Sequence, residues 1–104
     1  MNQIDVTVAD GKVSVNIDKL KMGKQKQAKI EWQLKTDGYT FPSDGIVIPG
    51  NDGQFSDFRV NGSGRTFSCV DANTNSKDYK YDVKVIDRNG TPYELDPTIQ
   101  NEGP

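Results

Sequence analysis

The chain contains no histidine and one cysteine, Cys69. Without histidine the commonest general base at neutral pH is missing, and Ser–His or Cys–His nucleophile pairs cannot be assembled within one chain. A single cysteine excludes an intramolecular disulfide and a structural zinc site. No apolar run approaches the ~20 residues of a membrane-spanning helix. The opening residues, Met1 to Asp5, lack the basic start and apolar stretch of a secretory leader. These absences predict a cytoplasmic protein that is not an enzyme, uses no cofactor and does not enter a membrane.

Apolar residues are also scarce. They make up 33% of the 104 residues, below the roughly 45–50% (glycine included) of ordinary globular chains, while 27% are charged. Their arrangement compensates, because alternation requires only one face of each strand to be dry. Ile4, Val6 and Val8 alternate with polar neighbours, as do Val13, Val15 and Ile17 beyond an Asp10-Gly11 turn signal. The clearest strand places Ala28, Ile30, Trp32 and Leu34 on one side and Lys29, Glu31, Gln33 and Lys35 on the other. Residues 19–27 read as a polar, basic connection. Phe55, Phe58 and Val60 suggest an irregular, bulged strand, since two residues separate the phenylalanines. Further strands cover Thr66 to Val70, Tyr79 to Val85 and, after an Asp87-Arg88-Asn89-Gly90 turn, Thr91 to Leu95. The pattern predicts one all-β domain over residues 1–104, an antiparallel β-sandwich of about seven to nine short strands with turn signals roughly every ten residues.

Charge is split along the chain. Residues 1–36 hold seven lysines against four acids, and residues 37–104 hold six basic residues against eleven acids, for a net charge of −2. The acidic whole argues against a nucleic-acid partner. Lys19, Lys21, Lys24, Lys26 and Lys29 fall close together, without arginine among them, and read as a solvated segment and an edge protected by lysine. The split also suits association of the basic part with the acidic part of another copy.

Few residues carry candidate chemistry. Cys69 shares its face with Phe67 and Asp71 and reads as a small core residue. Asp71, Asn73 and Asn75 place oxygens at alternate positions, and Asp82 is twelfth counting from Asp71, an echo of an EF-hand calcium loop. Ser76 stands where that loop needs glycine, and the following residues read as strand, so a solvated Asx-turn explains the same residues. The loop Asn51-Asp52-Gly53 with Asp57 has a similar, thinner claim on calcium. Tyr39, Phe41 and Tyr93 supply rings for a carbohydrate platform. These features make a calcium- or carbohydrate-binding domain the alternative to the leading expectation, a non-catalytic module that binds another protein or itself.

Two stretches resemble known proteins. Tyr79 to Asp87 followed by Asn89-Gly90 resembles the last hairpin of an immunoglobulin-like domain, with Asp78 and Tyr81 similar to a tyrosine corner and Trp32 to the core tryptophan, though the paired cysteines are absent. The tail Leu95-Asp96-Pro97-Thr98-Ile99-Gln100-Asn101 resembles the ending of the DP-EP family of short bacterial proteins, whose last strand runs into an Asp-Pro-x-Ile/Val-x-Asn segment. That resemblance covers about the last quarter of the chain and implies a bacterial immunoglobulin-like β-sandwich with no assigned activity. From the residues alone, Asp96 to Pro104 is expected to be an ordered edge that frays, with Ile99 folding back as a plug over the core or docking on a partner as an added strand.

Overall fold

A computed structural model of the chain describes residues 2–103. Among these the regular structure is entirely strand. In chain order the strands are β1 Asn2–Ala9, β2 Lys12–Val15, β3 Lys19–Lys21, β4 Ala28–Leu34, β5 Tyr39–Thr40, β6 Ile46–Val47, β7 Phe55–Val60, β8 Thr66–Asp71, β9 Ser76–Lys80, β10 Asp82–Asp87, β11 Pro92–Leu95 and β12 Thr98–Glu102. Twelve exceeds the expected number because several ladders are interrupted and the short β3, β5 and β6 pair separately.

Five strands form one sheet in the order β2-β1-β4-β8-β7. Asp10 and Gly11 take φ of 53° and 73°, and Ala9 pairs with Lys12, so β1 and β2 make a tight hairpin whose twist suits two left-handed residues. The sequence left that pairing open. β4 runs parallel to β1 and antiparallel to β8. Alternation turns Ile4, Val6, Val8, Ile30, Trp32, Leu34, Phe67 and Cys69 inward.

The remaining strands are organised by a long two-stranded ribbon. The β10–β11 and β9–β12 ladders share one register, so the chain from Ser76 to Asp87 lies antiparallel to the chain from Pro92 to Glu102. The interruption falls where Tyr81 faces Pro97. Tyr81 N–H donates to the Pro97 carbonyl at 3.0 Å, and Pro97 has no N–H to return. Twelve extended residues span ~40 Å, close to the 43 Å length of a molecule 24 Å across. β3 joins the ribbon parallel to β12, while β5 and β6 pair with β10. An all-antiparallel arrangement therefore fails at two ladders, β1–β4 and β3–β12, both formed by chain that crosses over before it pairs.

One apolar cluster fills the interior. Trp32 from β4 meets Tyr81 from the ribbon, with ring centroids 5.4 Å apart, and its Nε1–H donates to the Tyr81 hydroxyl at 3.0 Å. The Tyr81 hydroxyl thus holds a side chain, where a tyrosine corner would hold backbone. Phe41 packs edge-on against Phe67, and Phe55 against Tyr79. Two expectations need correction. Residues 19–27 are not simply a polar connection, because Leu20 and Met22 are buried and β3 is paired. The tail is not a fraying edge: β12 lies between β3 and β9, and Ile99 is fully buried within it.

Replacing Tyr81 with Phe removes the acceptor of a buried indole N–H. The expected loss is ~1–3 kcal/mol, read from urea unfolding followed by Trp32 fluorescence. A loss below ~0.5 kcal/mol, the range of an ordinary surface change, would show that this hydrogen bond does not hold β4 to the ribbon.

Candidate functional site

The densest polar arrangement lies at one end of β8. The alternation that buries Phe67 and Cys69 also buries Asp71 completely. Asp71 Oδ1 accepts the Asn73 backbone N–H at 2.9 Å, closing an Asx-turn, and Asn101 Nδ2–H at 3.1 Å. Asn73, in the left-handed region at φ 54°, is buried too. Its Nδ2 donates to the carbonyls of Gly23 (3.0 Å) and Gln25 (2.6 Å), and its Oδ1 accepts the N–H groups of Glu102 (3.0 Å) and Gly103 (3.1 Å). Lys26 Nζ donates to the Asn73 carbonyl at 2.7 Å. Gln54 Oε1 accepts the Thr74 N–H at 2.7 Å. The cluster ties the 23–26 loop, the start of β7, the β8–β9 turn and the end of β12 into one knot.

Acceptors outnumber donors in the knot. Asp71 Oδ2, Asn101 Oδ1 and Asn75 Oδ1 are buried and meet no protein donor. Burial pushes the Asp71 carboxyl above the ordinary carboxylate value, against the opposing pull of Asn101, the Asn73 N–H and the Lys26 charge. Asp71 is thus a core residue, which corrects its reading as a solvated turn residue.

Of the four calcium candidates, Asp71, Asn73 and Asn75 lie along this turn and Asp82 does not. Asp82 begins β10 opposite Val47 and borders a shallow depression with Glu94, Leu95 and Asp96. The EF-hand count fails because extended β9 follows Asn75, carrying Asp82 roughly 20 Å along the chain. The Asn73 oxygen is already taken by two backbone N–H groups. Among the described residues no group of three or more Cys, Asp or Glu side chains converges as a metal centre. In the second calcium candidate, Asp52 accepts from Lys77 Nζ (2.8 Å) and Tyr79 OH (3.1 Å), Asn51 Oδ1 accepts the Gly53 N–H, and Asp57 lies on β7.

The other candidates are dispersed. Lys19 pairs with Asp78 at 3.2 Å and Lys29 with Glu31 at 3.6 Å, while Lys26 belongs to the knot. Phe41 is buried and leaves the carbohydrate platform. Tyr39 meets Tyr93 edge-on at 5.7 Å and itself lines a depression of ~370 Å³ that Arg65 and Arg88 also border. The Arg65 guanidinium is occupied by the carbonyls of Leu34, Thr36 and Tyr39 and braces that loop. Cys69 is 1% exposed, and burial, with the neighbouring Asp71 charge, pushes its thiol up to about 12.

One surface went unsuspected as a site. The β7–β8 register slips between Ser56 and Arg59, and Asp57 sits there at φ 56°. This is the expected bulge, and it leaves Phe58 40% exposed. Only Val47, at 42%, is a comparably exposed large apolar residue among those described. β2, at the far end of the five-stranded sheet, lies against β11. β7 ends the same sheet on the other side and forms its second edge. The chain matches no family model, and no curated protein sequence matches it.

Two outcomes follow from the knot and its neighbour. Because the folded value of Asp71 exceeds the unfolded one, folding favours its protonated form. That contribution is complete below the unfolded value, is lost as pH rises through the interval between the two, and is level above it. Asp71→Asn keeps an acceptor without the charge, so its melting temperature relative to the parent should climb through that interval. The depressed carboxyls of Asp52 and Asp87 are common to both proteins and cancel in the comparison. A difference independent of pH would show that Asp71 does not titrate in this way. Separately, a thiol-specific chromophoric reagent should label Cys69 only after denaturation, and rapid labelling of the native protein would show the thiol to be accessible.

Proposed function

We propose that this chain is a non-catalytic protein-interaction module, an immunoglobulin-like β-sandwich that engages its partner through side chains on the bulged edge strand β7. The observation that carries the reading is the outward placement of Phe58. A non-glycine residue held at positive φ and a break in the ladder combine to put an aromatic ring on the surface, and bulges on edges serve to re-aim side chains. Aromatic residues and arginine dominate the energetics of interfaces, and Arg59 adjoins Phe58. The same bulge disrupts the row of backbone groups that an added strand would need, so recognition by side chains is favoured over strand addition.

The immunoglobulin-like assignment is supported by Trp32 packed on Tyr81 and by the final ribbon, and it accords with the resemblance of the tail to the bacterial DP-EP family. The parallel β1–β4 ladder is a departure from that pattern. The absence of catalytic reading rests on composition together with the inaccessible Cys69.

Phe58→Ser should change unfolding free energy by no more than ~0.5 kcal/mol. It should reduce association with the partner at least about tenfold, as loss of a central aromatic contact does. The measurement is affinity capture from native cells on immobilised parent and variant, quantified side by side by mass spectrometry. Equal capture by both would remove the β7 edge as the docking surface.

A further inference from the structure

Resting on the reading of β7 as the docking edge, we infer that the partner is a second copy of this chain, joined in a two-fold pair centred on Phe58. The argument begins with Asp57-Phe58-Arg59. An acid and a base flank the exposed ring, so the charge pattern reverses across it. A closed two-fold contact is self-complementary: if residue i meets residue j, then j meets i. An axis through Phe58 therefore sets ring against ring and brings each Asp57 to the Arg59 of the other copy. Both charge contacts are favourable in that one orientation. A parallel arrangement would set Asp57 against Asp57 and Arg59 against Arg59, and like charges placed together select against it.

Two further observations favour this occupant. Among the described residues, no ion pair within the chain engages Asp57 or Arg59. The pair of charges beside Phe58 is therefore available to an outside partner of the reverse order, which the chain itself supplies. The bulge also limits the outcome. By breaking the β7 ladder between Ser56 and Arg59 it hinders propagation of sheet from copy to copy, and so favours a closed pair over an open stack.

The test is sedimentation velocity on the full chain over a concentration series, with charge-reversed variants. The parent should show a reversible monomer–dimer equilibrium. Arg59→Glu sets acid against acid at both contacts and should raise the dimer Kd at least about tenfold. Asp57→Lys sets base against base and should do the same. An equimolar mixture of the two variants should recover dimers, because each variant then offers what the other lacks. Melting curves identify loss of fold in Asp57→Lys, whose position at positive φ tolerates lysine less well than aspartate; Arg59→Glu carries no such strain and decides the matter if the other fails. A parent that stays monomeric to its solubility limit overturns the pairing, as does a dimer insensitive to Arg59→Glu. Either result leaves the broader reading to the capture experiment: Phe58-dependent capture of a foreign protein would retain the docking edge and exclude a self-pair, and equal capture by Phe58→Ser would remove the edge itself.

Discussion

The side-chain amide of Asn73 uses its full hydrogen-bonding capacity on backbone. Both N–H donors reach carbonyls of the 23–25 loop, and both lone pairs receive N–H groups at the end of β12. No other side chain of these residues joins segments so distant in sequence through so many bonds. Asp71 fixes the turn that places Asn73, and Asn101 braces Asp71 from the strand that Asn73 caps. The arrangement is circular: the turn holds the tail, and the tail holds the turn. In a chain with few apolar residues, a central amide bonded in this way gives the closing strand a defined position that burial of Ile99 alone would leave loose.

Elsewhere the apolar residues are used economically. The inward apolar positions on β1, β4 and β8 join one cluster, and the largest side chain, Trp32, is matched with a hydroxyl that accepts its N–H. That match lets an aromatic with a polar atom sit at full burial without penalty. Arg65 makes a corresponding use of charge at the surface by bracing the 34–39 loop through three carbonyls. The polar residues of this chain thus do much of the work of fixing loops, while the apolar ones fix the strands.

Period-two alternation made β1, β4 and β8 legible in the sequence, and Asp10-Gly11 and Asn89-Gly90 marked the β1–β2 and β10–β11 turns correctly. The same reading missed β3, because the lysines around Leu20 and Met22 dominate the local composition and hide a two-residue period. It misjudged Asp71 for a related reason. Composition assigns a carboxylate to water, whereas register assigned it to the face of Phe67 and Cys69, and register prevailed because Asn73 and Asn101 supply hydrogen bonds. The spacing of Phe55 and Phe58 did announce a bulge, but nothing in one sequence tells which of the two rings turns outward. Asp82 failed as a neighbour of Asp71 because a count along the chain becomes proximity only if the chain turns back, and β9 runs straight.

The parallel ladder between β3 and β12 joins Lys19 to Thr98, and Thr98 N–H donates to the Asp18 carbonyl. A ribosome delivers these residues one after another, so the β3 segment emerges long before its partner exists. At ~5–20 residues per second, it waits several seconds with Leu20 and Met22 uncovered. During synthesis the lysines on either side of Leu20 acquire a second role. They keep an apolar, unpaired edge from recruiting a neighbouring nascent chain until the strand that completes it has left the tunnel.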